Sequence, residues 1–356
     1  MPAGFWAASR VVTITTPKSS ALRKVRGRTL LAVAATAAAM GLASCGPSAP
    51  PVRVVQPTLQ QPLHLQPIEA LAPAAGLQWV VIAEPQTIFN NEAVKPTLAK
   101  LFPQFRFDAL ERSSAIVVRK LQRVVIAQYG DSTLFVLQGV PDPMEAERRM
   151  RARLMSEVVR TVHRDDAVLL TGKLANGQRR AIVAMLPAVV VIESGEDRHA
   201  KAAYFHGLGK LKRSPGVLQA PGVAELARRF GPAPVLGFAP GPFEGEWARG
   251  LHGLLGAAEG VGAALRLTPI GTLQGSFVVA GDWGARAEAA SQRVMRSWED
   301  LAQSGFGRLT GLNEPVRAPL PTHAPDAASL TVEVDAQRFL EGLHNAVSAQ
   351  VGEIMK

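Results

Sequence analysis

Residues 123–139 read RVVIAQYGDSTLFVLQG, and this stretch determines how the rest of the chain is interpreted. Two runs rich in β-branched and aromatic residues, Arg123 to Tyr129 and Thr133 to Gly139, lie on either side of Gly130-Asp131-Ser132. Such runs joined by a short turn that contains Gly and Asp are typical of a β-hairpin. The stretch therefore predicts two antiparallel strands, with Asp131 and Ser132 serving the turn between them.

A helix is predicted directly after this hairpin. Pro143 would open it, since proline is favoured at the first helical position. Apolar residues then recur at helical spacing as far as Val162: Ala146, Met150, Leu154, Met155, Val158, Val159 and Val162. The opposite face carries five arginines: Arg148, Arg149, Arg151, Arg153 and Arg160. Contact of these arginines with lipid phosphates is one interpretation, and a solvated helix face is the favoured one.

Further strands and helices are predicted on both sides of this region. The predicted strands are 79–82, 167–174, 180–186 and 189–193, with an Asn176-Gly177 turn between the second and the third. Helices are predicted at 198–208 and 223–230. The segment Gly231–Gly241 is rich in Gly and Pro, which predicts a boundary and divides the body into residues 76–232 and 233–356.

The second half repeats the order of the first. A helix is predicted at 247–258, a hairpin at 264–280 across Pro269-Ile270-Gly271, a helix at 285–303, a strand at 330–334 and a helix at 336–347. The letters FVLQG (135–139) and ERRMR (147–151) of the first half compare with FVVAG (277–281) and QRVMR (292–296) of the second. This match indicates a degenerate duplication of a hairpin–helix–strand–helix unit, with chance similarity as the alternative. The predicted fold is α+β, with helices packed on antiparallel sheets.

The composition excludes several classes of protein. The chain has 356 residues and a formal net charge of +10. The first 44 residues contribute six basic side chains and no acidic ones: Arg10, Lys18, Arg23, Lys24, Arg26 and Arg28. Without them, 33 basic residues stand against 29 acidic ones, so no nucleic-acid partner is expected. The single cysteine excludes an internal disulfide and a four-cysteine zinc site.

The position of that cysteine indicates export. The uncharged run TLLAVAATAAAMGLAS (29–44) follows the basic stretch ALRKVRGR and leads directly to Cys45, which is the pattern of a signal peptide. Leu42-Ala43-Ser44-Cys45 resembles the lipobox of bacterial lipoproteins. This resemblance implies cleavage after Ser44 and acylation of Cys45, so residues 1–44 would be the signal peptide. An ordinary cleaved signal and an uncleaved anchor are the alternatives.

The segment after the cysteine is predicted to be a tether. Residues 46–75 contain seven prolines and only two charged residues, Arg53 and Glu69, and such stretches tend to stay extended. Two or three acyl chains would hold the protein durably at a membrane. By the same resemblance, Gly46 in place of Asp favours the outer membrane over the inner one. The expected location is the periplasmic side of the outer membrane.

No catalytic, cofactor-binding or metal-binding site is predicted. The seven histidines lack the helical His spacing of zinc hydrolases: His64, His163, His199, His206, His252, His323 and His344. His199 and His206 could share a helical face, but a structural role is the favoured interpretation. Gly260-Val261-Gly262 precedes a predicted strand, so it is not a dinucleotide loop. The carboxylate pairs at 165–166, 196–197 and 299–300 fit turns and helix caps.

Three functions remain open on this basis. The favoured one is a non-catalytic binding or scaffolding lipoprotein with an envelope protein as its partner. The second is a carrier of a lipid or another apolar ligand, held between sheet and helices. The third is an enzyme of unrecognised type, since the absence of known motifs is weak evidence.

Overall fold

The structure, a computed structural model, describes residues 63–174, 180–195, 199–212 and 214–354. The described residues form one compact unit. The signal peptide, Cys45, the Asn176-Gly177 turn and the 196–197 carboxylate pair lie outside the described residues.

Twelve strands in the described part of the chain form one antiparallel sheet. They are β1 Trp79–Ala83, β2 Arg123–Tyr129, β3 Ser132–Gln138, β4 Met155–Arg164, β5 Ala167–Leu174, β6 Arg180–Leu186, β7 Val189–Ser194, β8 Val235–Pro240, β9 Gly260–Leu267, β10 Thr272–Ala280, β11 Arg317–Ala324 and β12 Ala327–Asp335. Their spatial order is β11-β12-β10-β9-β8-β1-β2-β3-β7-β6-β5-β4.

Ten α-helices accompany these strands in the same described ranges. They are α1 Pro85–Phe89, α2 Lys95–Leu101, α3 Gln104–Ser114, α4 Pro143–Arg153, α5 His199–Gly207, α6 Val223–Phe230, α7 Gly250–Gly253, α8 Ala287–Gln303, α9 Gly305–Leu309 and α10 Ala336–Ile354. Short 3₁₀ turns occur at Ile68–Leu71, Val118–Lys120, Val217–Gln219, Trp247–Arg249, Leu254–Ala257 and Gly284–Arg286. The predicted α+β class is confirmed.

The two strands in the middle of the sheet pair with internal symmetry. β1 and β8 run antiparallel, and Val81 lies opposite Gly237 at the centre of their overlap. The flanking pairs are Val80 with Phe238 and Ile82 with Leu236. These four flanking residues are all buried. This mutual pairing resembles the contact between two copies of one protomer around a twofold axis.

The order of strands is the same on both sides of this centre. From β1 outward the sheet continues through β2, β3, β7 and β6, and from β8 outward through β9, β10, β12 and β11. Phe135 of β3 lies opposite Ile192 of β7, and Phe277 of β10 lies opposite Leu330 of β12. The two phenylalanines that match in sequence therefore occupy equivalent positions in the two halves of the sheet. The β4–β5 hairpin is an addition to the first side. The halves thus share a topology, while their descent from a duplication stays a prediction.

The sheet has two faces, and each is packed differently. Face A carries Val80, Val136 and Val278, and its core includes α5, α6 and the 68–72 segment. Face B carries Leu137 in the first half, under α4, and Val279 in the second half, under α8. Alternate residues of each strand point to opposite faces, so both cores are built from the same strands.

The predicted long helix after the first hairpin is wrong beyond residue 153. α4 ends at Arg153, and Met155–Arg164 forms β4, which pairs with β5. Apolar residues happen to recur at four-residue spacing in β4 as well, and this spacing led to the prediction of a helix there. The run Val158, Val159, Thr161 and Val162 is β-branched, which favours a strand, and the β5 partner supplies its hydrogen bonds.

The Gly- and Pro-rich stretch Gly231–Gly241 contains a strand that the sequence analysis missed. β8 occupies Val235–Pro240, with Leu236 and Phe238 buried against β1 and β9. Edge strand β11 was also not predicted, and its residues Pro319 and Pro321 locally oppose a strand. Proline is tolerated on an edge, where one side of the strand has no partner.

The predicted helix at 247–258 is replaced by three short pieces: the 3₁₀ turns 247–249 and 254–257, and the four-residue α7 between them. Leu251 and His252 adopt left-handed conformations, with φ of 52° and 55°. The glycines of this stretch, Gly250, Gly253 and Gly256, lower helix stability by about 1 kcal/mol each. These glycines therefore allow the helix to break, whereas the apolar spacing alone predicted one continuous helix.

The folded body begins before the predicted end of the tether at residue 75. Ile68, Leu71 and Ala72 are buried in the core of face A. Glu69 is 6% exposed, and its carboxylate lies 2.5 Å from Arg123 Nε. The prolines suggested an extended spacer, but the apolar residues among them have a core to pack against.

Candidate functional site

Four of the five arginines predicted to share one helix face are ion-paired, and the fifth, Arg153, donates to the Arg112 carbonyl oxygen at 2.7 Å. Arg148 and Arg149 bind Glu145, and Arg151 and Arg160 contact Glu147. Arg160 does so from β4, not from α4. Their contacts are with neighbouring carboxylates, as in a solvated surface network.

The two helical histidines do not converge on one site. His199 begins α5 and stacks on Tyr129 with ring centroids 4.1 Å apart, while His206 lies near the other end of α5, 6.3 Å from the ring of His64. Among the described residues, no group of three His, Cys, Asp or Glu side chains is placed to hold a metal ion.

A buried polar cluster that the sequence analysis missed lies at the start of α5. Ser132, predicted to serve the turn, is 1% exposed and begins β3, and its hydroxyl donates to Glu193 Oε1 at 2.9 Å. The backbone N–H of Ala200 donates to Glu193 Oε2 at 2.8 Å. Both carboxylate oxygens of Glu193 are thereby satisfied, and the carboxylate joins β3 and β7 to the first turn of α5.

Tyr129 extends this cluster. Its hydroxyl donates to the Pro73 carbonyl oxygen at 2.7 Å. Burial, and to a smaller extent the negative charge of Glu193, raise the pKa of Tyr129 well above its ordinary value. The phenol therefore stays protonated as a donor and ties the 68–74 segment to the sheet.

α5 covers face A of the first half. Ala200, Ala203 and Tyr204 are buried against it, and the Tyr204 hydroxyl donates to the Ala167 carbonyl oxygen at 2.8 Å. The helix contacts β6 and β7, which carry Ile182, Ala184 and Val191, while the 68–71 turn contacts β3, which carries Leu134 and Val136. All of these residues are apolar, and Glu193 is the polar exception on this surface. This half of face A is closed.

The matching surface of the second half has no such helix. By cross-strand register, Ser276 matches Leu134, Val278 matches Val136, Ser329 matches Val191 and Thr331 matches Glu193. We call Ser276, Val278, Ala327, Ser329 and Thr331 the open face. Ser276, Ser329 and Thr331 are partly exposed, whereas their counterparts are buried.

The path of α10 explains why this surface is open. Four residues separate β7 from α5, and α5 lies on face A. α10 begins at Ala336, directly after β12, and Asp335 Oδ1 accepts the Arg338 backbone N–H at 2.7 Å. The helix therefore runs beyond the sheet and meets α2, where Lys100 lies 3.3 Å from Glu341.

A groove of about 360 Å³ lies over the open face. The end of α6 forms one wall with Arg229 and Phe230, and Arg266 of β9 adds a second cationic side chain. The ring of Phe230 passes so close to Gly262 that a Cβ there would lie 2.6 Å from it, so glycine is required at this position.

The two arginines have different partners. Arg229 is held by Glu225 at 3.1 Å and by Asp326. Arg266 donates instead to two backbone carbonyl oxygens, those of Phe230 and Pro232, the latter at 3.2 Å. The groove thus combines a paired arginine, a carbonyl-bound arginine, hydroxyl groups and apolar surface, which is a lining suited to binding.

The sequence held a signal for this site that was not used. In β12, polar Ser329, Thr331 and Glu333 alternate with apolar residues, whereas β7 reads VVVIES. Period-two alternation predicts a strand with one solvated face, and a continuous apolar run predicts a strand covered on both. Comparison of the two strands would have located the open face.

No family model matches the chain, and no curated protein matches it. Two of the solved structures that match are crystal forms of TP0453. Crystal form III has 10% identity and a TM-score of 0.47, covering 79% of this chain and 99% of that chain. Crystal form I has 8% identity and a TM-score of 0.46, covering 78% and 97%. Nothing about the site or its function follows from similarity at this level. Within the described residues, no helix has the length and apolar character needed to cross a membrane.

Proposed function

We propose that this protein is a lipid-anchored component of a bacterial cell envelope whose folded body is a non-catalytic binding module. The binding role rests on one observation, the open face of the second half. A sheet surface that is covered in one half and left exposed in the other is available to a ligand or an envelope protein.

The anchor is supported by the lipobox resemblance at Leu42-Ala43-Ser44-Cys45. Acyl chains on Cys45 would hold the body on the periplasmic side of the outer membrane. Leu63 and Leu65 already pack against the core of face A, so seventeen residues, 46–62, separate the folded body from Cys45.

Mass spectrometry of the mature protein tests the anchor. We expect an N-terminus at Cys45 that carries a diacylglyceryl group and an additional acyl chain. Cys45→Ala should move the protein from the membrane fraction to the soluble fraction. An unmodified Cys45, or cleavage at another position, would contradict the proposal.

Site-specific photo-crosslinking in intact cells tests the binding role. A photoreactive residue at position 331 reports on the open face, and one at Val159 is the control, because Val159 is 64% exposed on edge strand β4. We expect discrete adducts from position 331 and none of the same size from position 159. Equal labelling at both positions would contradict a binding role for the open face.

A further inference from the structure

The groove contains one arginine whose charge no carboxylate offsets. Arg266 is partly buried, and its Nη2 donates to the Phe230 and Pro232 carbonyl oxygens. In the described part of the chain, no carboxylate oxygen lies within salt-bridge distance of this guanidinium. Backbone carbonyls orient an arginine but do not cancel its charge. A positive charge held in position at the wall of a groove favours an anionic ligand.

Two hydroxyl groups lie beside this charge. Ser276 lies opposite Thr331 on the open face, and neither side chain has a hydrogen-bond partner within the described ranges. Arg266 lies opposite Gln274, so Ser276 is its diagonal neighbour on the same face. Diagonal neighbours have β-carbons about 7–8 Å apart, within the joint reach of a guanidinium and a hydroxyl that share one anion.

The lining becomes apolar farther along the strands. After Ser276, the next positions of β10 on this face are Val278 and Ala280, both buried beside Ala327. Phe230 adds its ring above Gly262. The ion pair of Arg229 and Asp326 lies at the far end. The groove therefore runs from a cationic, hydroxyl-bearing end to a short apolar section.

We propose that this groove binds a small amphiphile whose anionic head, a carboxylate or a phosphate, lies between Arg266 and Ser276. The apolar part of the ligand packs on Phe230, Val278 and Ala327. This assignment rests on the proposed binding role of the open face and names the chemistry that the face selects. A volume of about 360 Å³ suits a short chain and not a whole phospholipid.

Calorimetric titration of the full chain tests this assignment, with Cys45→Ser used to prevent acylation. Four probes are compared below their micellar concentrations: octyl phosphate, octanoate, octyl glucoside and inorganic phosphate. We expect octyl phosphate and octanoate to bind at least about 10-fold more tightly than octyl glucoside, since a charge-assisted hydrogen bond contributes this much. We expect them also to bind at least about 10-fold more tightly than inorganic phosphate, because it has no alkyl chain to bury on the apolar section. Equal binding of octyl glucoside would overturn the role of the anion. Equal binding of inorganic phosphate would overturn the role of the apolar section.

Substitutions then locate the site. Arg266→Gln should weaken octyl phosphate binding by roughly 10- to 100-fold. Arg228→Gln is the matched control, because Arg228 lies on α6 with its side chain 76% exposed and should leave binding unchanged. Wild-type affinity in Arg266→Gln would overturn the assignment.

A second variant guards against a folding effect, because Arg266 also binds carbonyls at the end of α6. Ser276→Ala keeps those bonds and removes only the hydroxyl, and it should weaken octyl phosphate binding several-fold with an unchanged circular dichroism spectrum. Unchanged affinity in this variant would overturn the placement of the head. Failure of all four probes would overturn the ligand assignment, whereas acylated Cys45 and crosslinks from position 331 would still support the proposed function.

Discussion

Face A is built twice in this protein, once under a helix and once without one. In the first half, α5 packs over Ala184 of β6 and Val191 of β7, and the 68–71 turn contacts β3, which carries Leu134 and Val136. In the second half the matching positions of the open face are Ser276, Val278 and Ser329, and α10 leaves the sheet instead. The connections before the two helices differ in length: four residues separate β7 from α5, whereas α10 begins directly after β12. One strand order can therefore give a closed core or a partly exposed sheet surface.

The largest expected effect comes from removing the residue that holds α5 on the first half. Tyr204 is fully buried, so Tyr204→Ala should lower the free energy of unfolding by about 3–5 kcal/mol. Urea unfolding followed by circular dichroism measures this loss. Tyr204→Phe, which removes only the hydroxyl bound to the Ala167 carbonyl, is the control and should cost about 1 kcal/mol. A loss below about 1 kcal/mol in Tyr204→Ala would show that α5 does not close the first half.

The next largest loss of stability is expected when a buried residue of the closed half is replaced by the residue at the matching position of the open half. Val191 is fully buried and matches Ser329, so Val191→Ser places a hydroxyl beneath α5. We expect a loss of about 2–4 kcal/mol, because the core loses apolar volume and gains a buried polar group. The same urea titration gives the value. Stability equal to that of the wild type would mean that the two halves tolerate the same residues and that the comparison is wrong.

A smaller loss is expected at the carboxylate that joins α5 to the sheet. Glu193→Ala leaves the Ser132 hydroxyl and the Ala200 N–H without their acceptor, which should cost about 1–3 kcal/mol. Thr331→Ala, at the matching position of the open half, is the control and should change stability by less than about 0.5 kcal/mol. Hydrogen exchange of the α5 amides adds a local readout. Unchanged protection there would show that Glu193 does not hold the helix.

The strands of the first hairpin and its counterpart were predictable because their local signals agree. Residues 123–139 combine β-branched runs with a turn, and the sheet confirms both strands. β8 and β11 were missed for the opposite reason. Their Gly and Pro residues oppose a strand locally, and only the neighbours β1, β9 and β12 make the pairing favourable. Pairing with strands that are distant in sequence cannot be inferred from a short stretch of residues.

The candidate site was less predictable than the fold. Arg266 and Phe230 are 36 residues apart in sequence, and nothing local indicates that a β9 side chain reaches the end of α6. Glu193 was equally hidden, since a carboxylate at the end of an apolar strand normally marks the surface. Only the return of α5 over β7 buries it.

The smallest effect is expected where the open half receives a residue of the closed half. Ser329 is partly exposed and its hydroxyl lies 2.7 Å from that of Thr322, so Ser329→Val loses one solvated hydrogen bond and gains a better strand former. These terms oppose each other, and the free energy of unfolding should change by less than about 0.5 kcal/mol. A loss comparable to that of Val191→Ser would mean that position 329 is covered by protein in solution. A near-neutral change at Ser329 and a large loss at Val191 would show that these two matching positions differ in burial. The difference would follow from the helix that covers Val191 and is absent above Ser329.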